Sequence, residues 1–443
     1  MAMIATSMLA ALLVLAPVPA AQRQACAAPV PSTTQPGYTV ADPGCDPGGT
    51  PFEALPGARA RTGTVAGAAY RIEVPDRWNG ELVIWAHGYR GTGTTVYVSN
   101  PPLRAHLLAE GFAWAASSYQ TNGYDVEQGV RDSHALIDLF RQVTGKRARD
   151  VYLTGESMGG HVTAAAIEQY PRSFAGAMPT CGVLGDTELY DYFLDANVTA
   201  AAIAGVHITF PVDATTWRAQ VARITAGLTG DKAKLWSGVV ERRTGGERPG
   251  FDASFASWNA ARSLPPLDDL PFLFGLHPGL TGGTAGIANG NVTDNRFTVY
   301  RSTDGHRLTP AERRLNAEVL RVRRTATEPS GIPRVNGTPR IPVLSLHGLG
   351  DLFVPFSMEQ YYAARTAAHG RSKLFVSRAV RATGHCDFTQ PELRRGFDDL
   401  VHWVRGGKRP AGDAILDRRA VASPAFGCRF TVGARPQFPA CPA

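Results

Sequence analysis

Residues 149–161 read Arg-Asp-Val-Tyr-Leu-Thr-Gly-Glu-Ser-Met-Gly-Gly-His, an apolar run that passes through Gly155-x-Ser157-x-Gly159 into the Ala-rich stretch Val162 to Gln169. The glycines remove side chains that would clash in a tight strand-to-helix turn, so the pattern predicts a strand, a strained turn with Ser157 at its apex, and a helix. A serine placed there sits at a helix N-terminus, where free N–H groups and the helix dipole favour the negative charge that develops in acyl transfer. In a chain this rich in glycine and serine the bare pattern is within reach of chance, and its bland reading is a Gly/Ser turn. The strand before it, the helix after it and the partners below favour a nucleophile elbow.

Around the elbow, short apolar runs alternate with amphipathic helices. Tyr70 to Val74, Glu81 to Ala86, Phe112 to Ser118 and Phe174 to Thr180 read as strands; Ala105 to Glu110 and Val126 to Thr144 read as helices. Such alternation implies right-handed crossovers and a parallel sheet with helices on both faces, an α/β fold. From about Asp186 the rhythm breaks into aromatics, Gly/Pro clusters such as Thr281 to Gly286, and helical stretches including Ala214 to Leu228 and Thr309 to Arg324. It resumes with strand Ile341 to Leu346, helix Ser357 to His369, strand Lys373 to Ser377 and helix Glu392 to Val404. The expected organisation is a signal peptide at 1–25, an N-terminal extension at 26–65, a core at 66–185 and 335–406, a mainly helical cap inserted at 186–334, and a C-terminal extension at 407–443.

The resumed core supplies partners for the serine. Ile341 to Leu346 runs into His347-Gly-Leu-Gly-Asp351-Leu-Phe-Val354-Pro355, where a strand end delivers Asp351 on a glycine-loosened loop; Gly384-His385-Cys386 follows the next strand. A serine hydroxyl needs an imidazole to take its proton, and the imidazole needs a carboxylate to fix its tautomer, so Ser157, His385 and Asp351 are the expected nucleophile, base and acid. After the strand Glu81 to Ala86 comes His87-Gly88-Tyr89-Arg90-Gly91, whose turn points to an oxyanion hole from the N–H groups of Tyr89 and Met158. His87 is read as structural. Arg90 is read as a surface salt bridge, or else as a contact for an anionic substrate group.

Charge and cysteines bear on compartment and partners. The net charge of +7 comes from 40 arginines and five lysines, scattered without a long basic run, and reads as a solvated surface rather than a nucleic-acid face. Met3 to Ala16 is nearly all apolar and is followed by small residues around Ala20, the mark of an export signal, although no basic residue precedes it and the run is short for a membrane span. The expectation is a secreted protein without stable membrane insertion. The six cysteines fit three disulfides. Proximity suggests Cys26 with Cys45 and Cys428 with Cys441. Cys181 and Cys386 are then either two buried free thiols or, if they lie at the ends of neighbouring strands, a bond bracing the site. No His-Glu-x-x-His, paired Cys-x-x-Cys or dinucleotide fingerprint is present, so no metal and no cofactor is expected.

Gly-Glu-Ser-Met-Gly-Gly, His-Gly-Tyr after an apolar strand, His-Gly-x-x-Asp-x-x-Val-Pro and Gly-His-Cys together resemble the α/β-hydrolase superfamily, in particular secreted bacterial serine hydrolases with a large inserted cap. The resemblance covers about residues 66 to 185 and 335 to 406. It implies the α/β-hydrolase fold with a mostly parallel eight-stranded sheet, the order Ser, Asp, His along the chain, and hydrolysis through an acyl-enzyme without a cofactor. The cysteine after the histidine is also similar to tannase and feruloyl-esterase enzymes, where a disulfide joins cysteines adjacent to nucleophile and base. This chain departs from them in carrying Glu156, not Cys, before Ser157.

The leading expectation is a carboxylic-ester hydrolase acting on a small-molecule or polymer ester. The alternative is a peptidase or amidase on the same fold, acting on amino-terminal or proline-containing peptides. An acidic pair in the cap to bind a free amino terminus would favour that alternative, with Asp268, Asp269 and Asp191 as generic candidates. For the substrate pocket the cap offers Tyr190, Tyr192 and Phe193, with Phe210, Trp217, Phe272 and Phe274 further along; each has an equally plain reading as the core of the inserted helices.

Overall fold

A computed structural model describes residues 26–281, 290–305, 307–327 and 331–442. The expected signal peptide and most of the Gly-rich loop after Thr281 lie outside the described residues. Eight strands make the main sheet: β1 (Ala58–Val65), β2 (Ala68–Pro75), β3 (Glu81–Ala86), β4 (Ala113–Ser117), β5 (Asp150–Glu156), β6 (Gly176–Thr180), β7 (Val343–Gly348) and β8 (Phe375–Val380). They lie in the order 1-2-4-3-5-6-7-8, with β2 antiparallel to both of its neighbours and every other pairing parallel. This is the α/β-hydrolase fold, and its crossovers bring the carboxyl ends of β3 and of β5 to β8 to one edge.

The connecting helices are α1 (Arg104–Ala109), α2 (Val126–Thr144), α3 (Met158–Gln169), α9 (Ser357–Ala368) and α10 (Gln390–Val404). The insertion contributes α4 (Glu188–Ala204), α5 (Ala214–Gly227), α6 (Asp231–Arg243), α7 (Phe251–Ala260) and α8 (Pro310–Glu318), and α11 (Arg418–Val421) lies near the C-terminus. Period-two alternation splits the sheet between two cores. In β3, Leu82, Ile84 and Ala86 face the core shared with α2, α3 and the cap, while Val83 and Trp85 face the core under α1 and α10.

Three expectations change. The N-terminal extension does not end at residue 65, because Ala58–Val65 pairs along its whole length with β2 as the sheet's edge strand. Its sequence Ala-Arg-Ala-Arg-Thr-Gly-Thr-Val is mostly exposed, so it lacks the apolar face by which a strand is recognised. The helix expected over Thr309 to Arg324 stops at Glu318: Val319 is extended, and the Val322 N–H and C=O both bond Asn295. The third is α4, a deeply buried cap helix that no sequence period marks. It is buried on every side and shows no amphipathic stripe.

Candidate active site

Ser157 stands between β5 and α3 with φ +58° and ψ −122°, a left-handed backbone conformation that costs free energy in a non-glycine residue and is held here by its surroundings. Its N–H donates to Thr180 O at 3.0 Å. The flanking glycines are required by contact: a Cβ on Gly155 would lie 2.2 Å from Gly159 O, and one on Gly159 would lie 2.0 Å from Ala86 O.

The three residues singled out from separate segments meet. His385 Nε2 is 2.8 Å from Ser157 Oγ, and His385 Nδ1 is 2.6 Å from Asp351 Oδ2. Asp351 is fully buried, and its other oxygen accepts the N–H groups of Phe353 at 2.9 Å and Val354 at 3.1 Å. A carboxylate satisfied on both oxygens fixes the imidazole with Nδ1 protonated and leaves Nε2 free to accept the serine proton.

Beneath the acid lies a buried cluster that the sequence did not reveal. His347 Nδ1 is 3.2 Å from Glu359 Oε1 and its Nε2 is 2.8 Å from Val354 O; Glu359 also accepts from Ser345 Oγ at 2.6 Å and Ser377 Oγ at 3.0 Å. Burial pulls the imidazole down, but the bond to Glu359 and its charge outweigh that, so the His347 pKa lies above its ordinary value. His347 Nε2 lies against Val354 O, the carbonyl of the same residue whose N–H holds Asp351.

The turn after β3 lies against the nucleophile, since a Cβ on Gly88 would be 3.1 Å from Ser157 Cβ. Among the described residues the N–H groups of Tyr89 and Met158 have no backbone acceptor. His87 is buried, stacks on Tyr119 with centroids 3.9 Å apart and places its two nitrogens against Gly88 O and Ser118 O. Burial, then the charge of Arg90, holds its pKa far below the ordinary value, so it is a neutral packing residue at physiological pH. Arg90 forms no surface salt bridge among the described residues; its guanidinium donates to Tyr97 O and Ser99 Oγ and covers the Tyr97 ring.

All three expected cysteine pairs are disulfide-bonded, and among the described residues no cysteine is free. Cys181 follows β6 and Cys386 follows His385, so their bond ties the base's loop to the strand next to the nucleophile's. Both cysteines share positive φ with Ser157, at +44° and +56°. Cys181, His385 and Cys386 are the one convergence of possible metal-ligating atoms among the described residues, but the two sulfurs are joined to each other and a His385 nitrogen serves Ser157. Glu156 lines a small cavity of about 130 Å³ with Trp85, Cys386 and Phe388. Burial raises its carboxyl pKa, opposed by the charges of His385 and Arg90.

The cap residues named from sequence divide by role. Tyr192 donates to Leu352 O at 2.8 Å, and Phe193 stacks on Phe353 with centroids 6.1 Å apart. Phe353, which no sequence motif marks, lies edge-on to His385 at 5.2 Å and to Phe272 at 5.4 Å. Tyr190 packs edge-on against Tyr124. Trp217 and Phe274 belong to the interior of the cap, where the Trp217 indole donates to Phe274 O, and Phe210 packs half-buried at that core's edge. Asp269 pairs with Arg218 and Asp191 with Arg324.

No protein-family model matches the chain. An o-phthalyl amidase of Xanthobacter agilis is 22% identical over 401 residues, spanning 78% of this chain and 87% of that protein. Among solved structures, feruloyl esterase B from Aspergillus oryzae aligns with a TM-score of 0.46 at 14% identity over 88% of each chain. Acylaminoacyl peptidase from Pyrococcus horikoshii aligns with a TM-score of 0.38 at 13% identity, over 81% of this chain and 43% of that one. The fold assignment rests on the strand order itself.

Proposed function

We propose that this chain, a hydrolase of the α/β-hydrolase fold, is an exported serine enzyme that cleaves carboxylic esters through an acyl-enzyme. The observation that carries the reading is the hydrogen-bonded line from Ser157 through His385 to the buried Asp351. In this reading His385 takes the Ser157 proton as Oγ attacks the carbonyl carbon, and Asp351 stabilises the imidazolium. The N–H groups of Tyr89 and Met158 receive the oxyanion, each donor contributing about 3 kcal/mol to the transition state. The imidazolium then protonates the leaving alcohol, and water activated by the same base releases the acid. The three disulfides support an oxidising compartment, and among the described residues no helix is long and apolar enough to cross a membrane.

An amidase is the second reading, favoured by the similarity to o-phthalyl amidase. An amino-terminal peptidase gains no support from Asp191 and Asp269, which are already paired with arginines. The test is a panel of short p-nitrophenyl esters run beside a phthalyl amide and amino-terminal and proline-containing amides, with wild type and Ser157→Ala. Turnover of the esters above that of the amides is expected, with a loss of about a thousandfold or more in the variant. Undiminished turnover by Ser157→Ala would overturn the mechanism; faster amide cleavage would replace the ester reading with the amidase one.

A further inference from the structure

A larger cleft, of about 740 Å³, lies between the end of α6 and Gly245–Glu247, the segment Val299–Gly305, one side of α9 and the C-terminal stretch Leu416–Val421. No residue of the proposed catalytic machinery lines it. Its wall carries four guanidinium groups against two carboxylates, those of Glu247 and Asp304. Arg243 is engaged by the buried Asp195 at 2.6 Å and Arg242 by Asp304 at 2.7 Å. That leaves Arg301, which donates to Gly305 O, and Arg418, whose nearest carboxylate among the described residues is 4.0 Å away.

One further observation points to a ligand. The lining is also apolar in part: Val299 and Leu416 are about half exposed, and Val421 lies beside them. Exposed aliphatic side chains next to Arg301 and the only distantly paired Arg418 match a molecule with an acidic head and an apolar body.

We propose that this cleft is a second binding site, for an organic anion that carries a carboxylate or phosphate head group on an apolar body of medium length. Arg301 and Arg418 take the head, with guanidinium forks suited to either oxyanion, and Val299, Leu416 and Val421 cover the body. The site is independent of the reaction assigned to Ser157.

Calorimetric titration of the mature protein with octanoate, octyl phosphate, octanol and acetate tests it. Saturable binding is expected for one or both of the eight-carbon anions, the tighter of the two identifying the head group, and not for octanol or acetate. Arg301→Glu, Arg418→Glu and Leu416→Asp change exposed or half-exposed positions and should each weaken binding about tenfold or more, whereas Phe353→Ala beside His385 should leave it unchanged. Absence of saturable binding by both anions up to about 5 mM would overturn the proposal. So would binding that survives Arg301→Glu but is lost in Phe353→Ala, because that pattern belongs to the Ser157 site.

Discussion

Glu156 sits where the backbone gives it little choice, one residue before a serine whose φ of +58° is set by the turn. Its carboxyl is raised in pKa first by burial, with no hydrogen bond among the causes that oppose it. A folded-state pKa above the ordinary 4.5 means that the native state binds more protons than the unfolded chain between those two values, so wild-type stability falls as pH rises through that window. Glutamine has no charge to desolvate. Glu156→Gln is therefore expected to match wild type most closely below pH 4.5 and to gain about 1 kcal/mol over it by neutral pH, read from urea unfolding at several pH values. A difference that stays constant across the range would show that Glu156 carries no such burden. A carboxyl kept at some cost to stability beside Ser157 and His385 fits the tendency of reaction centres to hold strained or desolvated groups.

Four neighbouring strand ends carry the chemistry and its brace: β5 leads to Ser157, β6 to Cys181, β7 to Asp351 and β8 to His385. Adjacent parallel strands fix these ends about 5 Å apart, so residues far apart along the chain arrive in register. The elbow depends on α3 approaching β3 with nothing between them. In Gly159→Ala the new Cβ would meet backbone, Ala86 O at 2.0 Å and His87 O at 2.8 Å, so α3 must retreat from the strand that leads into the oxyanion turn. A loss of about 4 kcal/mol or more, or failure to recover soluble protein, is expected. Gly93→Ala is the control, because its Cβ would meet nothing within 4 Å, and it should shift stability by no more than about 0.5 kcal/mol. Equal melting temperatures for the two variants would mean that the close approach of α3 and β3 is not required.

At the scale of the whole molecule, the inserted residues do not form a detachable lid. Of the 17 residues of α4, 14 are buried, and cap residues such as Phe193, Trp217 and Phe274 belong to one continuous hydrophobic core with Leu82, Ile84 and Leu153 of the sheet. Tyr192 and Phe193 also hold the loop of Asp351. The cap and core should therefore unfold together, with hydrolytic activity, tryptophan fluorescence and helical circular dichroism lost over the same urea range; an early transition seen by activity and fluorescence alone would contradict this. The amino-acid sequence by itself determined the alternating core and the segments at 87–91, 155–159, 347–355 and 384–386, because strand ends, glycine turns and helix starts are written in neighbouring residues. It did not disclose α4, which is buried on every side and so carries no amphipathic stripe, nor β1, whose exposed edge carries arginine and threonine. The contact of Phe353 with His385, the cluster of His347 with Glu359 and the arginine-walled cleft were decided only by tertiary structure, since each joins segments whose proximity no local period encodes.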